Sequence, residues 1–96
     1  MYVQFHVKRP GANVLVTLQI VSEDGEMILG LRSIQGEIKL GPKAMRAAII
    51  EELTKIENVA RDAGFKEMRH SGDDRAAFLP GYEPFPELPN GRRKRL

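Results

Sequence analysis

The chain has 96 residues, a formal net charge of +2 and no cysteine. That length supports one hydrophobic core, so the sequence predicts a single domain over residues 1–96. The lack of cysteine excludes disulfides and thiolate chemistry, and two isolated histidines do not make a zinc centre, so we expect no metal. No apolar run approaches the roughly 18 residues that span a bilayer, and the first residues lack a secretory signal. We therefore expect a cytoplasmic or virion-associated protein that is not secreted and binds no membrane.

The first third of the chain, residues 1–34, has the pattern of an antiparallel three-stranded meander. Apolar and polar residues alternate in the first segment, and β-branched residues dominate the second. The predicted strands are residues 2–8, 14–21 and 27–34. Asp24-Gly25 is a hairpin turn signal between the second and third strands. Gly30 within the third strand is expected to mark a β-bulge or a close approach of backbone.

A long amphipathic helix is predicted over residues 42–63. Pro42 suits the first helical position, and Gly64 suits the left-handed residue just past the end. Apolar residues recur at steps of three and four, which makes one buried stripe. The stripe consists of Met45, Ile49, Leu53, Ile56, Ala60 and Ala63. Two ion pairs with a spacing of four are expected on the solvent side, Glu51 with Lys55 and Glu57 with Arg61.

The start of this helix carries basic residues where the helix dipole favours negative charge. Lys43 and Arg46 lie in the first turns. A bound anion would reverse the sign of that interaction, because free N–H groups, the dipole and two cations would converge on it. The alternative is that solvent and salt screen these charges and that nothing binds.

In the last third of the chain, the sequence predicts a strand at residues 65–70 and a short helix at residues 73–79, which Pro80 ends. The terminal residues 92–96 are either a final strand or a basic tail, and the preceding Asn90-Gly91 turn favours the strand. The element order is thus β-β-β-α-β-α-β. This order is typical of a mixed α+β or α/β fold with helices packed on a mixed sheet.

Four consecutive basic residues, Arg92, Arg93, Lys94 and Arg95, account for more than the whole positive excess of the chain. The remaining residues carry a net charge of −2, so the body is mildly acidic. As a flexible tail, this cluster could contact phosphates of a nucleic acid or an acidic partner.

Three stretches resemble the core of the GNAT family, the acetyl-CoA-dependent N-acyltransferases. They are Ala60-Arg-Asp-Ala-Gly-Phe-Lys-Glu-Met68, the segment of residues 75–84 that ends Gly81-Tyr-Glu-Pro84, and the terminal Arg92-Arg-Lys-Arg-Leu96. The resemblance covers about residues 14–96. The chain is also similar to small phage-encoded proteins with a reduced GNAT-like core. The resemblance implies a GNAT-like sheet that opens between the third strand and the strand after the long helix.

The resemblance also implies a site for the pyrophosphate of acetyl-CoA in the segment of residues 35–44, just before the long helix. The residues that match the role are Lys39, Gly41, Lys43 and Ala44. The family's loop pattern, Arg/Gln-x-x-Gly-x-Gly/Ala, is not intact here. Pro42 removes one N–H donor, and Glu37 adds a carboxylate near the expected phosphates.

The family's catalytic tyrosine, which protonates the leaving thiolate, has no counterpart on the predicted short helix, where Ala77 takes its place. Three other residues are candidates for acid–base work. His70 has a suitable intrinsic pKa, Glu67 could serve as a base, and Tyr82 lies near in sequence. The two helices that cover the substrate in the family are missing as well.

Three functions remain open from the sequence. The first is a non-catalytic GNAT-like structural or interaction module, for example a phage virion or assembly protein. The second is a small acyl-CoA-dependent N-acyltransferase acting on an amine, with acetyl-CoA as its cofactor. The third is a nucleic-acid accessory protein that uses residues 92–95. Protein partners or self-association are expected, because a reduced fold leaves sheet edges and apolar surface uncovered.

Overall fold

Six strands and one helix are seen in the described part of the chain, residues 1–71 and 79–96 of this computed structural model. In chain order the elements are β1 (Tyr2–Arg9), β2 (Ala12–Glu23), β3 (Glu26–Ile38), α1 (Pro42–Asp62), β4 (Glu67–His70), β5 (Glu83–Pro84) and β6 (Arg92–Arg95). The sheet order is β1-β2-β3-β4-β6-β5, in which β3 and β4 are parallel and all other neighbours are antiparallel. The protein is therefore an α+β domain with a mixed six-stranded sheet.

The predicted meander is confirmed, although its strands are longer than predicted. The turn between β2 and β3 has positive φ at both Asp24 (52°) and Gly25 (78°), which a two-residue hairpin turn of this kind requires. The predicted end of the third strand at Ile34 is wrong, because β3 continues to Ile38 through Gly36, whose φ is 138°. Residues 35–38, expected to open a phosphate-binding loop, are therefore strand and pair with the start of β2.

A β-bulge in β3 sets which side chains face the helix. Thr17 of β2 pairs with Ser33, and the next residue, Leu18, pairs with Leu31, so Arg32 is the extra residue. The expectation of a bulge at Gly30 is therefore wrong by two residues. Because the extra residue reverses the alternation, Leu31 before the bulge and Ile34 after it lie on the same face of the sheet.

Helix α1 crosses that face and closes the core. Its first residue is Pro42 as predicted. At the other end, Phe65 N–H bonds to Ala60 O at 2.9 Å and Gly64 N–H to Arg61 O at 3.1 Å, with Gly64 at φ 96°. This is a Schellman motif, which satisfies the last carbonyls. The buried core consists of Val14, Val16, Leu18, Leu29, Leu53, Ala60, Met68 and Leu79.

The prediction that Glu57 lies on the solvent side of α1 is wrong. Glu57 is only 4% exposed, and it does not pair with Arg61, which bonds to Asn58 instead. Position 57 follows Leu53 by four residues and precedes Ala60 by three, so it lies within the buried stripe. Ala63, expected in that stripe, is exposed because α1 ends at Asp62.

The C-terminal residues form a strand, which decides between the two alternatives for residues 92–96. β6 lies between β4 and β5, although it is last in the chain. The predicted strand at residues 65–70 begins two residues later, at Glu67. Of the predicted short helix, residues 73–78 lie outside the described residues. β3 pairs with β4 only through Ile28–Leu31, and no described residue pairs with the rest of β3 on that side.

Candidate functional site

The residues expected to bind a pyrophosphate lie at the exposed start of α1. Gly41 occupies the N-cap position, and Met45 N–H bonds to its carbonyl at 2.9 Å. Pro42 has no N–H, so the amides of Lys43 and Ala44 are the helix donors that lack an intrahelical acceptor. Within the described residues, no side chain caps this end, and the first turn contains no acidic residue. Lys39 is 3.0 Å from Glu37 in an exposed ion pair.

An apolar cavity of about 110 Å³ lies under α1, between the helix and the meander. Its lining includes Ile38, Leu40 and Met45, which flank the start of α1. The polar side chains at its rim are Arg9 and Glu52, which form an ion pair of 3.0 Å with each other. A dry cavity of about 150 Å³ can hold a benzene molecule. The space under α1 therefore suits a small apolar group, such as a short acyl chain.

The structure does not bring the three catalytic candidates together. Residues adjacent in β4 face opposite sides of the sheet, so Met68 and His70 face α1 while Glu67 faces away. Glu67 is 2% exposed and bonds to Arg69 and, at 3.4 Å, to Arg95. His70 is also buried, and its ring centroid lies 5.1 Å from that of Tyr82.

Tyr82 is hydrogen-bonded to Glu57, a residue that the sequence analysis placed on the solvent side of α1 and not in a candidate site. The Tyr82 hydroxyl donates to Glu57 Oε2 at 2.8 Å, and Lys94 Nζ donates to Glu57 Oε1 at 2.9 Å. Burial of the ring, together with this hydrogen bond to a carboxylate, raises the pKa of Tyr82 above its ordinary value. A phenol of raised pKa is a poor proton donor at neutral pH. The spacing of Glu57 from Leu53 and Ala60 was the signal in the sequence that could have found it.

Ion pairs within the chain engage Arg93, Lys94 and Arg95 of the basic cluster at the C-terminus. Arg93 pairs with Glu83 at 3.1 Å, Lys94 with Glu57 at 2.9 Å, and Arg95 with Glu26 at 3.0 Å. Nucleic-acid binding through these residues would require phosphates to compete with carboxylates that are already bound. The geometry therefore gives the nucleic-acid hypothesis no specific support.

A second surface lies on the other side of α1, between the helix and β1. This groove, which we call the β1 groove, is lined by Val3, Phe5, Ile56, Val59, Ala63 and Phe65 among others. Val59 is 70% exposed and Val3 is 41% exposed. Helix α1 therefore leaves apolar side chains uncovered next to the edge strand.

No helix among residues 1–71 and 79–96 is long and apolar enough to cross a membrane. In the same residues, no cluster of three or more His, Cys, Asp or Glu side chains could hold a metal ion. Comparison of the chain with protein-family models, with curated proteins and with solved structures finds no match.

Proposed function

We propose that this chain is a non-catalytic module on a reduced GNAT-like fold, which acts through contacts with other proteins. The observation that carries the proposal is that Glu67 and His70 are buried and that Tyr82 is partly buried with its hydroxyl bonded to Glu57. Glu67, His70 and Tyr82 are held in the domain by ion pairs, ring packing or a hydrogen bond. A general acid or base has to reach the reacting atoms directly or through one water.

Glu67 and Tyr82 make contacts that stabilise the fold where they stand. Glu67 faces away from α1 and neutralises Arg69 and Arg95. Tyr82 keeps its proton on the hydrogen bond to Glu57. The exposed apolar residues of the β1 groove are in turn the type of surface that protein partners cover. A phage particle or its assembly is the setting that the resemblance implies.

An acetyl-transfer assay tests the proposal. The purified protein is incubated with acetyl-CoA and a mixture of amines, such as polyamines and lysine peptides, and free CoA thiol is measured with a thiol reagent. The chain contains no cysteine, so all the thiol signal comes from CoA. We expect no release above the uncatalysed rate. Release that grows with protein concentration and is lost in Tyr82→Phe would overturn the proposal.

A second candidate function, an acyl-CoA-dependent N-acyltransferase acting on an amine, has one observation in its favour. The amides of Lys43 and Ala44, which have no acceptor within residues 1–71 and 79–96, lie beside the apolar cavity, whose lining includes Leu40 and Met45. Helix N-termini with free N–H groups favour phosphate, and the cavity accepts a small apolar group. These are the two parts that a short acyl-CoA would need.

Calorimetric titration with acetyl-CoA, at low and moderate salt, tests this second candidate. Saturable binding that is lost in Lys43→Glu and Lys39→Glu would support it. The matched control is Lys66→Glu, because Lys66 is an exposed lysine that lies beyond the opposite end of α1. Binding that the control weakens equally would reflect general charge attraction. An absence of binding at millimolar acetyl-CoA would exclude the enzyme.

A further inference from the structure

The two edges of the sheet differ in how they are protected. The β5 edge is two residues long, Glu83–Pro84, and it combines a charge with a proline, which are two of the features that block edge pairing. The β1 edge is eight residues long, Tyr2–Arg9, and contains no proline. An exposed edge strand of this length is a template for another strand. In β1 the side chains of Lys and Arg stand only at the end of the strand, at positions 8 and 9, so residues 2–7 form the longer and less protected edge among the described strands.

The hydrogen-bond pattern shows which groups of β1 point outward. Ile20 N–H bonds to Met1 O at 2.9 Å, and residues of β1 and β2 pair in a continuous antiparallel register from Tyr2↔Gln19 to Arg9↔Ala12. Bonded and non-bonded residues alternate along such a ladder. The odd-numbered residues therefore bond to β2. The backbone groups of Tyr2, Gln4, His6 and Lys8 point away from the sheet.

We propose that a second copy of this chain pairs with β1 in antiparallel orientation, so that two sheets form one continuous sheet with both α1 helices on the same face. This inference rests on the proposed function, since it names the partner of that module. The two-fold axis passes between the two copies of Phe5. Gln4 then faces His6 of the second copy, and these residues exchange the outward-pointing hydrogen bonds.

The residue pattern of β1 is self-complementary in an antiparallel pair, which favours a copy of the same strand as the partner. β1 contains His6, Lys8 and Arg9 and no acidic residue. In the proposed register Lys8 faces Tyr2 and Arg9 faces Met1, so no cationic side chain lies opposite another, and like charges directly opposite would destabilise the pair. This register also overlaps residues 2–8 of both strands, which is all of β1 but its last residue. The apolar face matches too, because Val3 faces Val7 and Phe5 faces Phe5.

The same register accounts for the β1 groove. Val3 and Phe5 line the groove together with Val59 of α1. A second β1 strand would extend the floor of this groove and place its own Phe5 and Val7 beside Val59. Burial of the exposed Val3 and Val59, and of the remaining exposed surface of Phe5, would supply the apolar area that backbone pairing alone lacks. Edge and groove are thus covered by one partner.

The first test measures the mass of the protein by analytical ultracentrifugation over a range of micromolar concentrations. We expect the native chain to have twice its monomer mass of 10.8 kDa. Gln4→Pro removes an outward N–H without touching the ladder to β2, so we expect a folded monomer. Gln4→Ala is the matched control, because both variants lose the Gln4 bond to Thr17. The control should remain a dimer.

The second test reads the register by disulfide formation in a chain that has no cysteine of its own. In the proposed dimer the two Phe5 Cα atoms lie about 4.5 Å apart, a separation that a disulfide spans. Phe5→Cys should therefore cross-link under mild oxidation. Val3→Cys should not, because the two copies lie four residues apart along the strands, at about 14 Å. If the loss of the Phe5 ring unfolds the protein, the double variant Val3→Cys/Val7→Cys should cross-link instead.

Each outcome decides the inference. A dimer that Gln4→Pro dissociates and that cross-links at Phe5 supports it. A monomer at all concentrations overturns it, and so does a dimer that survives Gln4→Pro or cross-links through Val3 alone. The acetyl-transfer assay is separate from these results. Thiol release would overturn the proposed function, whereas a monomer without thiol release would overturn only the second copy as the partner.

Discussion

The hydroxyl of Tyr82 donates a hydrogen bond of 2.8 Å to the carboxylate of Glu57, which also accepts one of 2.9 Å from Lys94. One buried carboxylate thus joins α1, the segment before β5 and the last strand. Lys94 belongs to β6, which the sequence left as either strand or tail. The arrangement explains why Lys94 turns toward α1 and keeps a side-chain exposure of only 27%.

The ion pair of Glu57 and Lys94 should behave non-additively. Removal of one partner from a buried pair typically costs 3–5 kcal/mol, and Lys94 keeps a side-chain exposure of 27%. We therefore expect Lys94→Met to lower the free energy of unfolding by about 3 kcal/mol, at the lower end of that range. Glu57→Leu/Lys94→Met should cost less than the sum of the single variants. Urea unfolding of all four proteins measures this, and strict additivity would contradict the coupling.

Stability should fall at high pH because of Tyr82. Its pKa is raised in the folded state above the ordinary value of 10.0, first by burial and then by its bond to Glu57. A raised pKa contributes stability that is complete below pH 10 and is lost as the pH rises further. The free energy of unfolding should therefore decline above pH 10 in the native chain. Tyr82→Phe should be less stable at neutral pH but should show a flatter alkaline decline, which denaturant unfolding at several pH values measures.

At low pH the exposed ion pairs beside β4 and β6 should be lost. The hydrogen bond from Arg69 lowers the pKa of Glu23, and the hydrogen bond from Arg95 lowers that of Glu26. Lowered pKa values contribute stability above the ordinary value of 4.5, which is lost as the pH falls through the folded values.

Glu23→Gln/Glu26→Gln should therefore show a shallower loss of stability below pH 4.5 than the native chain. NMR titration of the two carboxylates gives the pKa values directly, and thermal unfolding over the same pH range gives the stability. Glu87→Gln, a change in an exposed turn residue, is the control and should keep the native slope. Equal slopes in all three proteins would refute the assignment.

Gly36 should not tolerate a side chain. Its φ of 138° is rare for L-residues, and an added Cβ would lie 2.9 Å from Val14 Cα and too close to the Asn13 carbonyl. We expect Gly36→Ala to lower the stability by about 2 kcal/mol, within the range for strained backbone. Gly30→Ala is the control in the same strand, because its nearest neighbour would be 3.7 Å away. A control that is as destabilised as Gly36→Ala would point to a general intolerance of β3.

The sequence predicted those helices and strands whose ends are set by residues nearby in the chain. Pro42, the apolar stripe and Gly64 delimit α1 to within one residue, because helix ends obey short-range rules of capping and backbone conformation. Alternation and the Asp24-Gly25 turn predicted the meander for the same reason. The GNAT-like topology remains an expectation, and the predicted pyrophosphate and catalytic residues remain predictions.

Contacts between distant residues decided the rest. Glu57 has the spacing of a buried position and the chemistry of an exposed one, and its burial is favourable only because Lys94, 37 residues away, neutralises it. The bulge at Arg32 follows from the register between β2 and β3, and no residue type within β3 specifies it. β6 has four basic residues and no apolar alternation, so only its pairing with β4 and the carboxylates around it makes it a strand. The periodicity of a segment indicates which of its faces is buried, but it does not identify which distant residue contacts that face.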